Sequence, residues 1–164
     1  MEDKLEDAFI EQINQNMGIA HKVCNIYFND SQDREDVIQE MLYQLWKGYP
    51  SFQGNAKFST WMYKVCLNTA LTNLKRSKRT KSESISEAHN QIADDPVTER
   101  EWDITMLYRL LEKLSPLNKS IVLLYLEDLQ YDEISGITGL SKSNISVRLV
   151  RIKNELRKFK QHIL

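Results

Sequence analysis

The stretch YDEISGITGLSKSNISVRLVRIKNEL, residues 131–156, decides the fold of this chain. Tyr131 to Thr138 has the length and apolar spacing of a short helix, with Ile134 and Ile137 turned inward. Gly139 follows where the chain must reverse and where a positive φ costs a glycine little. Leu140 plugs the turn, and Ser141 stands where a side-chain oxygen caps a second helix by accepting a backbone N–H bond. In that helix Ile145, Leu149, Ile152 and Leu156 recur at the spacing of one buried stripe. The rest of its surface carries Ser143, Asn144, Ser146, Val147, Arg148 and Arg151. Short polar groups beside arginines suit a major groove, where they reach base edges and phosphates. A helical hairpin with a basic, solvated face is the plain alternative. The turn chemistry and the exposed face together favour a DNA-binding helix-turn-helix.

The chain of 164 residues is long enough for one ordinary domain or two small ones. Only 5 glycines and 3 prolines interrupt it, which favours an all-helical protein. No apolar run is long enough to span a bilayer and no signal peptide opens the chain. The expectation is a cytoplasmic protein without membrane insertion. Cys24 and Cys66 lie inside helical apolar patterns and are expected to pack as small hydrophobes in a reducing compartment.

The net charge of −1 conceals a block pattern. Residues 1–50 hold 4 basic and 10 acidic side chains, and residues 51–81 hold 7 basic and no acidic ones. Residues 82–139 hold 4 and 12, and residues 140–164 hold 7 and 1. Two basic blocks separated by acidic ones imply two distinct contacts with a polyanion, not one diffuse patch.

Upstream, helical spacing begins at Phe9, Ile13 and Met17 and continues through Val23, Ile26 and Tyr27, until Asn29-Asp30-Ser31 breaks it. A stronger helix runs from about Asp33 to Lys47, with Val37, Ile38, Met41, Leu42, Leu45 and Trp46 expected inward. Its opposite stripe is Asp36, Gln39, Glu40 and Tyr43, and Gly48 and Pro50 end it. A loop from Tyr49 to Phe58 leads to Ser59-Thr60, a candidate N-cap pair, and to a long helix from Trp61 to about Arg76. Between Thr80 and Thr98 the apolar face disappears, the composition of a flexible linker. Order resumes with Ile104, Leu107, Leu110, Leu111 and Leu114, then Ser115-Pro116 caps and opens a helix carrying Ile121 to Leu126. The expected fold is all-α: a domain over 1–79, a linker over 80–100, and a four-helix domain over 101–164 that holds the helix-turn-helix.

Both halves resemble one family. DREDVIQEMLYQLW (33–46), FQGNAKFSTWMYKVCLNTALTNLKR (52–76) and LEKLSPLNKSIVLLYLEDLQYDEISGITGLSKSNISVRLVRIKNELR (111–157) are similar, in that order, to the compact extracytoplasmic-function sigma factors of bacterial RNA polymerase. These carry only the second and fourth sigma regions. The resemblance implies that the helix of Asp36, Gln39 and Glu40 docks on the clamp of the largest subunit of core RNA polymerase. Carboxylates and an amide on one exposed stripe suit basic groups on a partner helix; without the resemblance the stripe reads as a solvated acidic face. The resemblance further implies that the loop 52–58 and the helix after it open promoter DNA and hold the non-template strand at the minus-ten element. Lys57, Trp61, Lys64, Asn68, Lys75 and Arg76 are the candidates there, since unpaired strands take stacking partners and cations and a pocket reads a base turned out of the stack. Trp61 and Tyr63 have a core reading as well, because only some of these aromatics fit the exposed face. Asn68, polar in an apolar stretch, is the better single candidate.

The resemblance assigns the minus-thirty-five element to the C-terminal recognition helix. Where Thr-Val-Lys-Ser-Arg is frequent in the family, this chain has Asn144-Ile145-Ser146-Val147-Arg148, so a customary cation is replaced by Ser146. Its phosphate contribution should fall accordingly. An anti-sigma factor that masks the polymerase-binding surfaces is a further partner common in the family. A free-standing helix-turn-helix regulator is the alternative, although it leaves the acidic stripe and the first basic block unexplained. An enzyme is not indicated. His21, His89 and His162 are scattered, no catalytic or phosphate-binding motif is present, and no metal or cofactor site is expected.

Overall fold

The computed structural model describes residues 2–81 and 99–163, and the side chains of residues 2–80 and 105–161. The described residues form seven α-helices: α1 (Glu2–Tyr27), α2 (Ser31–Gly48), α3 (Phe58–Lys81), α4 (Glu99–Glu112), α5 (Pro116–Leu126), α6 (Tyr131–Thr138) and α7 (Lys142–Ile163). A 3₁₀ turn at Tyr49–Ser51 joins α2 to the loop before α3, and no strand occurs among these residues. Residues 82–98, most of the expected linker, lie outside the described residues.

The first three helices pack on one another around fully buried Val23, Met41, Leu45, Met62 and Cys66. Each such side chain contributes roughly 1.5–3 kcal/mol through burial. Asp30 caps α2 by accepting from the Gln32 and Asp33 N–H groups at 2.9 and 3.0 Å. In α2 the apolar stripe points inward as expected except at its end, where Trp46 stays 41 % exposed. It leans on Phe9 with ring centroids 5.1 Å apart instead of entering the core. The third helix departs from expectation at both ends. It begins a turn early, the Trp61 N–H bonding the Lys57 carbonyl at 3.1 Å, so Ser59 and Thr60 belong to its first turn. It also continues past Arg76 to Lys81, with residues 77–80 polar and exposed.

In the C-terminal half Ser115 caps α5 through the Asn118 N–H at 3.2 Å, with Pro116 in the first turn. Helices α5, α6 and α7 close around Ile121, Leu124, Ile134 and Ile145, all fully buried. The turn after α6 is the one expected: Gly139 has φ 76°, and its N–H returns to the Ser135 carbonyl. The turn after α5 was not foreseen. The Asp128 and Leu129 N–H groups bond the Tyr125 and Leu124 carbonyls at 3.1 Å, with Asp128 at φ 59°. This is a Schellman ending whose left-handed position is filled by an aspartate, a residue that tolerates it better than most. The two halves also touch each other, mainly through α3 against α6 and α1 against α4.

Candidate nucleic-acid interface

The recognition helix is presented by a turn tied from three sides. The Ser135 hydroxyl donates to the Leu140 carbonyl at 2.6 Å, the Leu140 N–H donates to Thr138 Oγ1 at 3.3 Å, and Ser141 Oγ accepts from the Asn144 N–H at 3.2 Å. Buried Ile145, Leu149 and Ile152 fix its rotation. Ser143, Asn144, Val147 and Arg151 are exposed, and Ser146 and Arg148 are half-buried. Arg148 is braced: its Nε donates to Asn144 Oδ1 at 2.8 Å and its Nη1 to Asn118 Oδ1 at 3.1 Å. Asn144, Val147, Arg148 and Arg151 share a cavity of about 430 Å³ with Asn118 and Glu155. Asn118, on α5, was missed in the sequence because nothing local distinguishes it from a polar residue of a first helical turn.

The second candidate surface lies on α3. Trp61, half-buried, sits in an aromatic group with Phe52 and Phe58, at centroid distances of 5.0 and 5.5 Å. Gly48 permits this, since a Cβ there would stand 3.2 Å from the indole. Tyr63 is 4 % exposed and belongs to the core, which divides the two aromatics. Burial, foremost, pushes the Tyr63 phenol well above its usual range. Trp61 and exposed Lys64 line a cleft of about 470 Å³ with Phe52, Asn55 and, from α6, Asp132 and Glu133.

Asn68 is exposed one turn further on and lines a separate polar cavity of about 360 Å³ with Glu40, Gln44, Thr72, Asn73 and Arg76. Those side chains can all exchange hydrogen bonds, and Val65 adds an apolar wall. Lys57 and Lys75 are exposed and enter neither cavity. The structure thus splits the α3 candidates between an aromatic cleft and an amide-rich one.

On α2 the three acidic-stripe candidates also separate. Asp36 and Gln39 are exposed, whereas Glu40 is half-buried, accepts from Gln44 Nε2 at 2.9 Å and faces the Asn68 cavity. Tyr43, 58 % exposed, prolongs the Asp36–Gln39 line and ends near exposed Trp46. This aromatic end was missed because the apolar period places Trp46 in the core. Among the described residues no group of three His, Cys, Asp or Glu side chains could hold a metal ion. Cys24 and Cys66 are buried free thiols, which burial pushes up to about 11 and about 12.

The geometry defines a helical protein with a helix-turn-helix and a second, aromatic and cationic surface on a separate helix. The models for sigma-70 region 2 and sigma-70 region 4 match residues 13–80 and 104–156. The sigma factor SigW of Bacillus subtilis is 24 % identical, the match covering 93 % of this chain and 89 % of that protein. The sigma-E factor of Escherichia coli is 27 % identical, covering 83 % and 79 %. Among solved structures, the sigma factor RpoE of Bartonella quintana, in complex with the anti-sigma factor NepR, superposes with a TM-score of 0.79. That match is 17 % identical and covers 94 % of this chain and 97 % of that one. CnrH, in complex with the cytosolic domain of CnrY, superposes at 0.69 with 16 % identity over 96 % and 90 %. These two likenesses speak to the fold. The chain belongs to the extracytoplasmic-function sigma factors of RNA polymerase. Among the described residues no helix is long and apolar enough to cross a membrane.

Proposed function

We propose that this sigma factor docks on the clamp of the largest subunit of core RNA polymerase through Asp36, Gln39 and Glu40, with Tyr43 and Trp46 extending the contact. Helix α7 then reads the upstream element of the promoter through Ser143, Asn144, Ser146, Val147, Arg148 and Arg151. Helix α3 opens the minus-ten region: Trp61 offers a ring for stacking, Asn68 and Arg76 a base-reading cavity, and Lys57, Lys64 and Lys75 charge for the backbone. Residues 1–79 and 101–164 act as two domains, with 80–100 joining them. An anti-sigma protein is a further partner of this reading. The factor works in the cytoplasm and contributes no chemistry of its own, bond formation belonging to the polymerase.

One observation carries the reading. The two basic blocks of the sequence become two exposed surfaces on different helices, one on the second helix of the helix-turn-helix and one beside cavities lined by an aromatic ring and amides, as two separate DNA contacts would require. Run-off transcription with purified core polymerase, with and without this protein, on fragments of its own genome tests it. Discrete transcripts that require the protein are expected. Their absence, together with promoter shifts by the protein alone at physiological salt, would instead establish a free-standing regulator.

A further inference from the structure

Val147 stands apart on α7. Ile145 is buried, and Val147, two residues on, lies about 200° round the helix, 49 % exposed and pointing away from the core. A β-branched side chain in that place gains no burial and slightly lowers helix propensity. A single exposed valine is ordinary, so the neighbours are what distinguish this one. Asn144, one turn earlier, and Arg148 and Arg151 line the same cavity of about 430 Å³. Residues 140–164 hold 7 basic side chains and 1 acidic one, Glu155, which stands about two turns beyond Val147. The charge of this face therefore fits a polyanion. Val147 also falls within the first two turns of α7, the part of a recognition helix that meets base edges.

The brace on Arg148 fixes what Asn144 can offer. Arg148 Nε donates to Asn144 Oδ1 at 2.8 Å, and its Nη1 donates to Asn118 Oδ1 at 3.1 Å. A guanidinium only donates, so the amide oxygen of Asn144 has to be the atom that faces it. The Nδ2 group, with two donors, is what Asn144 keeps for a ligand. The bidentate pairing of asparagine with adenine needs the oxygen as well, and here Arg148 occupies it. Exposed Asn144 and Val147, three residues apart on one face, thus present a donor beside an apolar surface. In the major groove thymine alone shows the complement, an O4 acceptor next to a C5-methyl group.

We propose that Asn144 and Val147 together read one thymine in the duplex of the upstream element. Asn144 Nδ2 donates to the thymine O4 and the thymine methyl packs on Val147. Arg148 is a positioning residue that holds the Asn144 amide with its oxygen turned aside. The inference rests on the reading that α7 takes the upstream duplex, and adds which base is read and by which groups.

In the test, holoenzyme selects its sites from a pool of random-sequence duplexes, and affinity is then measured on the selected duplex. An upstream position confined to thymine is expected. Deoxyuridine there removes only the methyl group and should weaken binding about fourfold, the worth of one buried methyl. Val147→Ser should cost about as much, and both changes together no more than either, since they remove one contact. 5-Methyldeoxycytidine, paired with guanine, keeps the methyl and replaces O4 by an amino donor, which should cost roughly five- to a hundredfold. Asn144→Asp should reverse that preference, because a carboxylate accepts from the amino group; the ratio is insensitive to the added charge. Arg148→Ala frees the amide to turn over, so it should shrink the ratio and leave the deoxyuridine penalty in place. A selected upstream element without a confined thymine, additive penalties for deoxyuridine and Val147→Ser, or an unchanged preference in Asn144→Asp overturns the inference and leaves the reading of α7 standing. An unchanged ratio in Arg148→Ala overturns the positioning role. If holoenzyme selects no upstream sequence, the reading of α7 itself falls, and the inference with it.

Discussion

Asn118→Ala is the most informative single change, because it separates holding an arginine from being one. Arg148 has two side-chain anchors, Asn144 on its own helix and Asn118 on α5, at 2.8 and 3.1 Å. Removing the second leaves the charge in place but frees the guanidinium at one end. Immobilising a long side chain costs about 0.5–1.5 kcal/mol, so the variant should lose roughly two- to twelvefold in affinity for upstream duplex. The salt dependence should not change, since no phosphate-contacting cation is removed. Arg148→Ala should differ in kind, costing about 1–3 kcal/mol and, where it touches phosphate, lowering the salt slope by about one. Folding is a small concern: alanine is a better helix former than asparagine, and the cap uses the backbone N–H of residue 118. Anisotropy of holoenzyme on a labelled upstream duplex, over a series of salt concentrations, reads both quantities. Wild-type affinity in Asn118→Ala, or a slope reduced as far as in Arg148→Ala, would refute the bracing argument.

Three further outcomes are expected. Gln39→Lys should weaken association with core polymerase by about 1.5–3 kcal/mol with helix content unchanged; pull-down at equal circular dichroism checks this, and Glu40 reversal should additionally disturb the Asn68 cavity it lines. Asn68→Ala should spare duplex engagement and reduce strand opening, so permanganate reactivity of promoter thymines should fall in the variant holoenzyme, whereas normal reactivity would remove Asn68 from that role. Cys24 and Cys66, with thiols pushed up to about 11 and about 12 by burial, should resist iodoacetamide at pH 8 until the protein unfolds. Because the raised values keep the native thiols protonated, their stabilisation is full below about pH 9 and is lost as pH climbs through 11 to 12, which urea titrations at pH 8 and pH 10.5 would show as a falling midpoint.

The helix-turn-helix was legible almost to the residue because each of its signals is local: Gly139 for the reversal, Ser141 for the cap, Ile145 and Leu149 for the stripe. The start of α3 was less so. Ser59 and Thr60 have cap chemistry, but Phe58 is buried and draws the helix one turn earlier. Trp46 followed the apolar period and still remained exposed, since Leu45 and Met41 already fill the space beneath α2. The bracing of Arg148 by Asn118 and the meeting of Lys22 with Glu127 join residues 30 and 105 positions apart. No periodicity carries such information, because each residue alone is an ordinary polar group on a helix.

Helix α3 runs unbroken from Phe58 to Lys81, and its exposed Lys64, Asn68, Lys75 and Arg76 ride on a single rigid rod. At about 1.5 Å of rise per residue, Lys64 and Arg76 are held ~18 Å apart along the axis. An extended strand advances about 3.4 Å per nucleotide in duplex-like spacing, so the rod measures out roughly five nucleotides. If α3 holds the unpaired strand as proposed, it would act as a ruler: the rise of the helix would set the number of bases between the aromatic cleft and the far cation, and a promoter longer or shorter by one base in this interval would have to bend to be read.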